Sequence, residues 1–457
     1  MSRVSPSRQA AYEVIRLVAE QDAYSNLILP KVIDDFNLDS RDAGFATELA
    51  LGTLRWVGLI DEIITVTSGR DIDRIDPPVR DALRLGIYQV LFMRVPDHAA
   101  VNNSVDLCSA IGYKSASGLV NAVLRKVCAQ PLEYWREEIV EGVEDPLERL
   151  ARRWSHPRWI VSALRDALAK NKNDIEKLLE VDNLAPAVTG VTRSGQAGLD
   201  ELFAAGGVEG RWAPTAVSIV VEPRSIAAVR RGRVGVQDEG SQLVALAFAN
   251  APLQGSDVNW LDLCAGPGGK AALLKSLVAE HNGHLTAVEL QPHRAELVHQ
   301  ALTGVEGKHD TVVADGCDEQ FATGKFDRVI VDAPCTGLGV IRRRAESRWR
   351  RTPADVGTLT KLQRELLTNA LKAVRPGGIV GYATCSPHLA ETEFIVEDVL
   401  AANPEARLLN AAEIAATIPG LHHQAEFAES LGEGPFMRLW PHIHSTDGMF
   451  LAILTRD

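Results

Sequence analysis

No CxxC pair occurs anywhere in these 457 residues, which argues against a zinc ribbon. No run of 18 uncharged apolar residues occurs either, so no transmembrane helix is expected. The first stretch, MSRVSPSRQAAYEVIRLVAEQ, lacks an apolar core followed by a cleavage site. It reads as the start of a helix, and no secretory signal is expected. The six cysteines, Cys108, Cys128, Cys264, Cys317, Cys335 and Cys385, then point to a reducing, cytoplasmic setting. Most thiols of that kind are small buried residues. His422, His423, His442 and His444 have no Cys or Glu at a known ligand spacing, so no metal site is expected.

Positive charge is in deficit. Lys and Arg number 48 against 60 Asp and Glu, a net charge of −12. The deficit is uneven: residues 1–140 carry −4, residues 141–235 carry +1, and residues 236–457 carry −9. A local basic surface therefore remains open to a nucleic acid. Apolar residues make up 46% and charged residues 24%, which excludes a mainly disordered or low-complexity chain. The length suits about three domains.

Residues 1–130 read as helix throughout. Ala10, Val14, Ile15 and Val18 recur at helical spacing, as do Leu119, Val120, Val123, Leu124 and Val127. Pro77 and Pro78 stand where a helix begins, ahead of Val79, Leu83, Ile87, Val90 and Leu91. Ser40 offers an N-cap for a run through Ile64. Several such helices with short polar breaks make a bundle. Residues 131–170 continue as helices. Between 171 and 235, Ala187–Arg193 and Ala216–Val221 are strand-like and Leu199–Ala205 is helix-like, a small α+β module closed by Arg224, Arg230, Arg231 and Arg233. That arginine cluster is a candidate RNA contact.

From about 236 strands and helices alternate. Asn259–Cys264, Leu285–Leu290, Thr311–Ala314, Arg328–Val331 and Ile379–Thr384 are strand-like, with helices at Lys270–Ala279, His293–Leu302 and Leu359–Val374. Such alternation implies a doubly wound parallel sheet, which binds ligands at the carboxyl ends of its strands. The expected architecture is an all-α bundle over 1–135, linker helices and a small α+β module over 136–235, and a Rossmann-like α/β domain over 236–457.

The first strand runs into Cys264-Ala265-Gly266-Pro267-Gly268-Gly269-Lys270. Glycines there let backbone N–H groups approach a ligand at a helix N-terminus. The turn matches neither GxGxxG nor the P-loop spacing. Glu289 ends the second strand and can accept from two ribose hydroxyls; Asp315 ends the third and can meet an adenine amino group. With Asp332 at a further strand end, these acids form an adenosine pocket. It fits S-adenosylmethionine or a dinucleotide. Two cysteines then lie just past strand ends, Cys335 in DAPC and Cys385 in TCS.

DAPC and TCS behind a CAGPGGK turn resemble the NOL1/NOP2/Sun family of RNA cytosine-5 methyltransferases. Val236-Gln-Asp-Glu-Gly-Ser-Gln242 is similar to that family's segment before the catalytic fold, and Asp447-Gly-Met-Phe450 to its closing strand. The helical region resembles NusB-like RNA-binding domains, most tellingly over Asn121–Lys126. Two departures stand out. Gly266 and Ala271 differ from the usual CAAPGGKT, and Glu391-Thr392-Glu393 replaces an acidic-Asn-acidic stretch, where a helix cap or a substrate contact could change.

The resemblance implies S-adenosylmethionine as cofactor, held by residues 264–270, Glu289, Asp315 and Asp332. It implies 16S rRNA or a small-subunit assembly intermediate as partner, with no membrane and no metal. It assigns Cys385 as the thiolate that adds to carbon 6 of cytosine, Asp332 to the ring N3 edge, and Cys335 to removal of the carbon 5 proton or to product release. Lys270 would orient the reaction centre. The base must leave its stack. Arg342, Arg343, Arg344, Arg348, Arg350 and Arg351, with Trp349 among them, are expected to face RNA beside the site. Two other classes stay open: a non-catalytic NusB-like RNA-binding or antitermination factor, and a nicotinamide oxidoreductase. The intact cofactor turn with both cysteines weighs against the first, and the missing GxGxxG with the two strand-end cysteines against the second.

Overall fold

The computed structural model of the protein describes residues 4–21, 23–193 and 198–457. These form two compact units, one of residues up to Ala185 with Ile341–Arg351, the other of Pro186–Val340 with Thr352–Asp457. The part of the expected first helix that falls on residues 1–3 lies outside the described residues.

The first unit is helical. Its helices include Pro6–Gln21, Ser25–Asp35, Ser40–Arg55, Val57–Ser68, Pro77–Leu91, Asp97–Ala110 and Ser117–Cys128, followed by shorter ones from Leu132 to Val181. The apolar stripes face inward: Val14, Ile15, Ile63, Leu83, Ile87, Val123 and Leu124 are buried. Prolines at 77 and 78 open their helix as expected, because the first helical turn needs no N–H from them. Asp39 rather than Ser40 caps the third helix. Its carboxylate accepts the Asp42 N–H at 2.8 Å, while Ser40 is already helical. A carboxylate at this end also suits the helix dipole.

Residues 341–351 complete this unit from far along the chain. Arg348 is 0% exposed, and its guanidinium donates to the carbonyls of Arg55, Ser155 and Asp182 and to Asn183 Oδ1 at 2.6–3.1 Å. Glu346 accepts from Ser25 N and Oγ, both at 2.9 Å, and Arg350 donates to the carbonyls of Val18 and Ala23. Two arginines of the run expected to face RNA, Arg348 and Arg350, are thus spent on helix-end and loop carbonyls. Arg342 and Arg348 are buried, and of the named residues only Arg344 and Trp349 are exposed. The local sequence carries no sign of this, since the acceptors come from residues 18–183.

The second unit holds two sheets. The small one comprises β1 (Val188–Val191), β2 (Val208–Glu209), β3 (Ala216–Ile219) and β4 (Gly235–Val236), antiparallel in the order β2-β3-β1-β4. Leu202, Val217, Ile219, Ile226, Ala228 and Val234 form its core. The large one comprises β5 (Asn259–Asp262), β6 (His284–Glu289), β7 (Lys308–Val313), β8 (Phe326–Asp332), β9 (Val374–Thr384), β10 (Ala406–Leu409), β11 (Met437–Leu439) and β12 (Met449–Arg456). Its order is β10-β12-β9-β8-β5-β6-β7, with β11 beside β12. β5 to β9 are parallel and β12 is antiparallel to β9. The winding reverses between β5 and β8, so a crevice opens at their carboxyl ends.

The segment 236–242 bolts the small sheet to the large one. Glu239 accepts the Trp212 and Ala213 N–H groups at 2.6 and 2.8 Å. Gln242 accepts from Thr215 and donates to the Gly190 carbonyl. Asp238 accepts the Asp447 N–H at 2.9 Å, which ties this segment to the start of β12.

Candidate active site

The candidate cofactor acids and the two cysteines of the second unit sit at or just past strand carboxyl ends because of the winding just described. β5 ends at Asp262, β6 at Glu289 and β8 at Asp332; Asp315 lies two residues beyond β7. A cavity of about 310 Å³ opens there, lined by Cys264, Gly266, Glu289, Asp315, Asp332 and apolar Leu263, Leu290, Pro334, Leu362 and Leu366 among others. That volume is at the small end of the range for ligand sites. Three carboxylates facing apolar walls match a nucleoside: acids for hydroxyls and an amino group, flat apolar surface for a base.

Two further observations fit an adenosine-like cofactor. A Cβ on Gly266 would run into the Glu289 carboxylate, so glycine allows the backbone to lie against that acid. Glu289 is held in place by the Gln291 N–H at 2.9 Å, and Arg294 bridges from near its other oxygen to the Gly266 carbonyl. Asp262 is 0% exposed; one oxygen accepts the Cys264 N–H at 3.1 Å, and the other, Oδ2, has no hydrogen-bond partner among the described residues. Burial first, and then the nearby Asp332 charge, push its carboxyl up to about 7.

Beside the cavity, Lys270 Nζ lies 2.9 Å from Asp332 Oδ2. Burial alone pulls this ammonium down, but the Asp332 carboxylate more than restores it and the net direction is upward. Lys270 is therefore a fixed cation rather than a base. Its burial also sets it apart from a solvent-reaching helix lysine.

The two cysteines meet. Cys335 Sγ and Cys385 Sγ are 3.4 Å apart. The hydrogen bond to Cys385, followed by burial, holds the Cys335 proton well above the ordinary thiol range. Cys317 is a different case: burial, then the Asp315 charge, push it up to about 12.

Sequence reasoning missed the clamp behind these thiols. Glu391 is 0% exposed. Its Oε1 accepts the Thr336 N–H at 2.8 Å and Gln363 Nε2 at 3.2 Å; its Oε2 accepts Thr336 Oγ1 at 2.5 Å and Ser386 Oγ at 2.7 Å. Thr336 and Ser386 each directly follow one of the cysteines. Glu391 shows in the sequence only as the first acid of an acidic-Asn-acidic stretch whose Asn is replaced by Thr392, the residue that opens the helix Glu393–Ala402. The four histidines hold no metal arrangement. His444 accepts the Trp440 N–H and pairs with Ser430, and His422 bonds the Gly210 carbonyl. Among the described residues no three metal-ligating side chains are grouped, and no helix is long and apolar enough to cross a membrane.

Comparison with known proteins agrees with this layout. The family model described as 16S rRNA methyltransferase RsmB/F matches residues 250–455, and the NusB family model matches residues 5–129. A Mycobacterium tuberculosis protein named as a methyltransferase is 46% identical over 456 residues, covering 99% of this chain and 97% of that one. Ribosomal RNA small subunit methyltransferase B of Pseudomonas putida is 32% identical over 417 residues, covering 89% and 91%. Among solved structures, that of PH0851 superposes with a TM-score of 0.78 at 24% identity over 99% of both chains. The crystal structure of NSun6 from Pyrococcus horikoshii with SFG gives 0.51 at 17% identity, covering 64% of this chain and 97% of that one. These two likenesses speak to the fold.

Proposed function

Because the chain belongs to the RsmB/F family of 16S rRNA methyltransferases, we propose that it methylates carbon 5 of a cytosine in 16S rRNA through a covalent cysteine adduct. The enzyme is S-adenosylmethionine-dependent. Residues 264–270, Glu289, Asp315 and Asp332 hold that cofactor, which supplies an electrophilic methyl group when bound. The observation that carries the finer reading is the 3.4 Å approach of two thiols at the crevice, beside a lysine–carboxylate pair.

Carbon 5 of cytosine is a poor nucleophile. The Cys385 thiolate adds to carbon 6 and makes carbon 5 enamine-like. Asp332, steadied by Lys270, holds the N3 edge of the ring during that addition. After carbon 5 has gained its methyl group, Cys335 takes the carbon 5 proton. The electron pair left behind re-forms the C5–C6 double bond and expels Cys385 as thiolate. Cys335 acts in this step as thiolate: the hydrogen bond to Cys385 that holds its proton in the resting enzyme is lost once Cys385 is bonded to carbon 6, and that proton leaves to water before the one from carbon 5 is taken.

The helical residues 1–135 and the module over 136–235 serve RNA binding, and 236–457 the chemistry. Arg224, Arg230 and Arg231 remain exposed on the small module and are the basic surface that supports this division. Bisulfite mapping of rRNA from cells with and without the protein tests the reading. One 16S cytosine should lose its protection when the protein is absent; unchanged protection at every cytosine refutes it.

A further inference from the structure

We propose that Glu391 is a positioning residue that sets the Cys335 turn against Cys385, and that without it the adduct forms but is released slowly. This rests on the two-thiol reading above. Cys385 directly follows β9, whose last residue, Thr384, pairs with Phe450 of β12, so the nucleophile has backbone support that does not pass through the Cys335 turn. Cys335 lies three residues past the end of β8. The residue after it, Thr336, is fastened through both its N–H and its hydroxyl to the one carboxylate of Glu391. Gln363 adds a bond from its amide to the Pro334 carbonyl and another to the same carboxylate. Ser386 brings the second turn to that carboxylate, and Thr336 Oγ1 and Ser386 Oγ are themselves 3.2 Å apart.

A buried carboxylate with four donors from three segments can keep one geometry and no other without leaving donors unpaired. Glu391 lines neither the cofactor cavity nor the Lys270–Asp332 pair. Its loss should therefore disturb the thiol that depends on it, Cys335, and leave cofactor and RNA binding in place.

The experiment compares the full-length enzyme with Cys335→Ala, Glu391→Ala and Glu391→Gln, using 16S rRNA and S-adenosylmethionine. Glu391→Ala should lower kcat by about 100-fold, the usual cost of misplacing a reacting group by an ångström, and accumulate a protein–RNA adduct as Cys335→Ala does. KM for both substrates should stay within about threefold, because no substrate-binding contact is removed. Glu391→Gln keeps an acceptor for the Thr336 N–H, and both hydroxyls can turn to accept from its amide. It should restore turnover and clear the adduct. An adduct with Cys335→Ala but none with a folded Glu391→Ala overturns the proposal alone. No adduct with Cys335→Ala overturns the two-thiol reading and the proposal with it. If Glu391→Ala does not fold, the double variant Thr336→Val with Ser386→Ala, which strips both hydroxyl arms, is held to the same adduct criterion.

Discussion

Cys335 and Cys385 come within 3.4 Å of each other across 50 residues because β8 and β9 are parallel neighbours in a fixed register. Asp332 pairs with Ala383, so each cysteine emerges from the same edge of the sheet within three residues of that pair. The geometry makes the thiols partners, while their different support makes them unequal.

That inequality gives the sharpest prediction. Cys385→Ala should abolish methylation and form no RNA adduct. Cys335→Ala should accumulate an adduct that survives denaturing electrophoresis and needs S-adenosylmethionine for full yield. The opposite pattern would reverse the two assignments.

Glu289 is buried at the end of β6 and anchored by the Gln291 N–H, so it meets a ligand without reorganising. Glu289→Ala should weaken S-adenosylmethionine binding by about 1.5–3 kcal/mol, the worth of charge-assisted hydrogen bonds. Calorimetry on the folded variant checks this, and unchanged affinity removes Glu289 from the site.

Asp262 provides a pH test. Its carboxyl is about 7 in the fold against an ordinary value of 3.8, so the folded state keeps a proton that the unfolded chain loses. Its contribution to stability therefore falls as pH rises from about 4 to about 7 and then levels, by at most about 4 kcal/mol. Asp262→Asn removes this titration. Thermal melts should show the wild type losing stability relative to the variant across that window, and a constant difference would contradict the assignment.

Arg348 should matter for stability and not for RNA. Arg348→Ala leaves three carbonyls and Asn183 without their buried donor, which should cost at least about 3 kcal/mol. The salt dependence of rRNA binding in the folded variant should keep its slope, since no phosphate contact is lost. A slope reduced by about one would return Arg348 to the RNA-binding surface.

Much of this protein was legible in its sequence. Helical periodicity located the first bundle. Alternating strands and helices located the parallel sheet to within a few residues, as at Lys270–Ala279 against an observed Gly269–Ala279. Acids and cysteines at strand ends announced the crevice, because a doubly wound sheet brings its carboxyl ends to one place whatever the loops do. These are local properties: side-chain spacing, turn chemistry and the order of elements.

What the sequence could not decide were matters of long-range pairing. Arg348 and Trp349 have the look of an RNA-facing loop, yet Arg348 is consumed by acceptors between 55 and 183, while Trp349 stays 44% exposed with its ring against Gly58. Glu391 has the look of a helix-start acid, yet its carboxylate is the shared acceptor for the residues following both cysteines. Composition and spacing determine which segments form helices and strands. Only the tertiary structure decides which buried donor meets which acceptor, because the cost of leaving one unpaired is met by partners that the chain brings together from far apart.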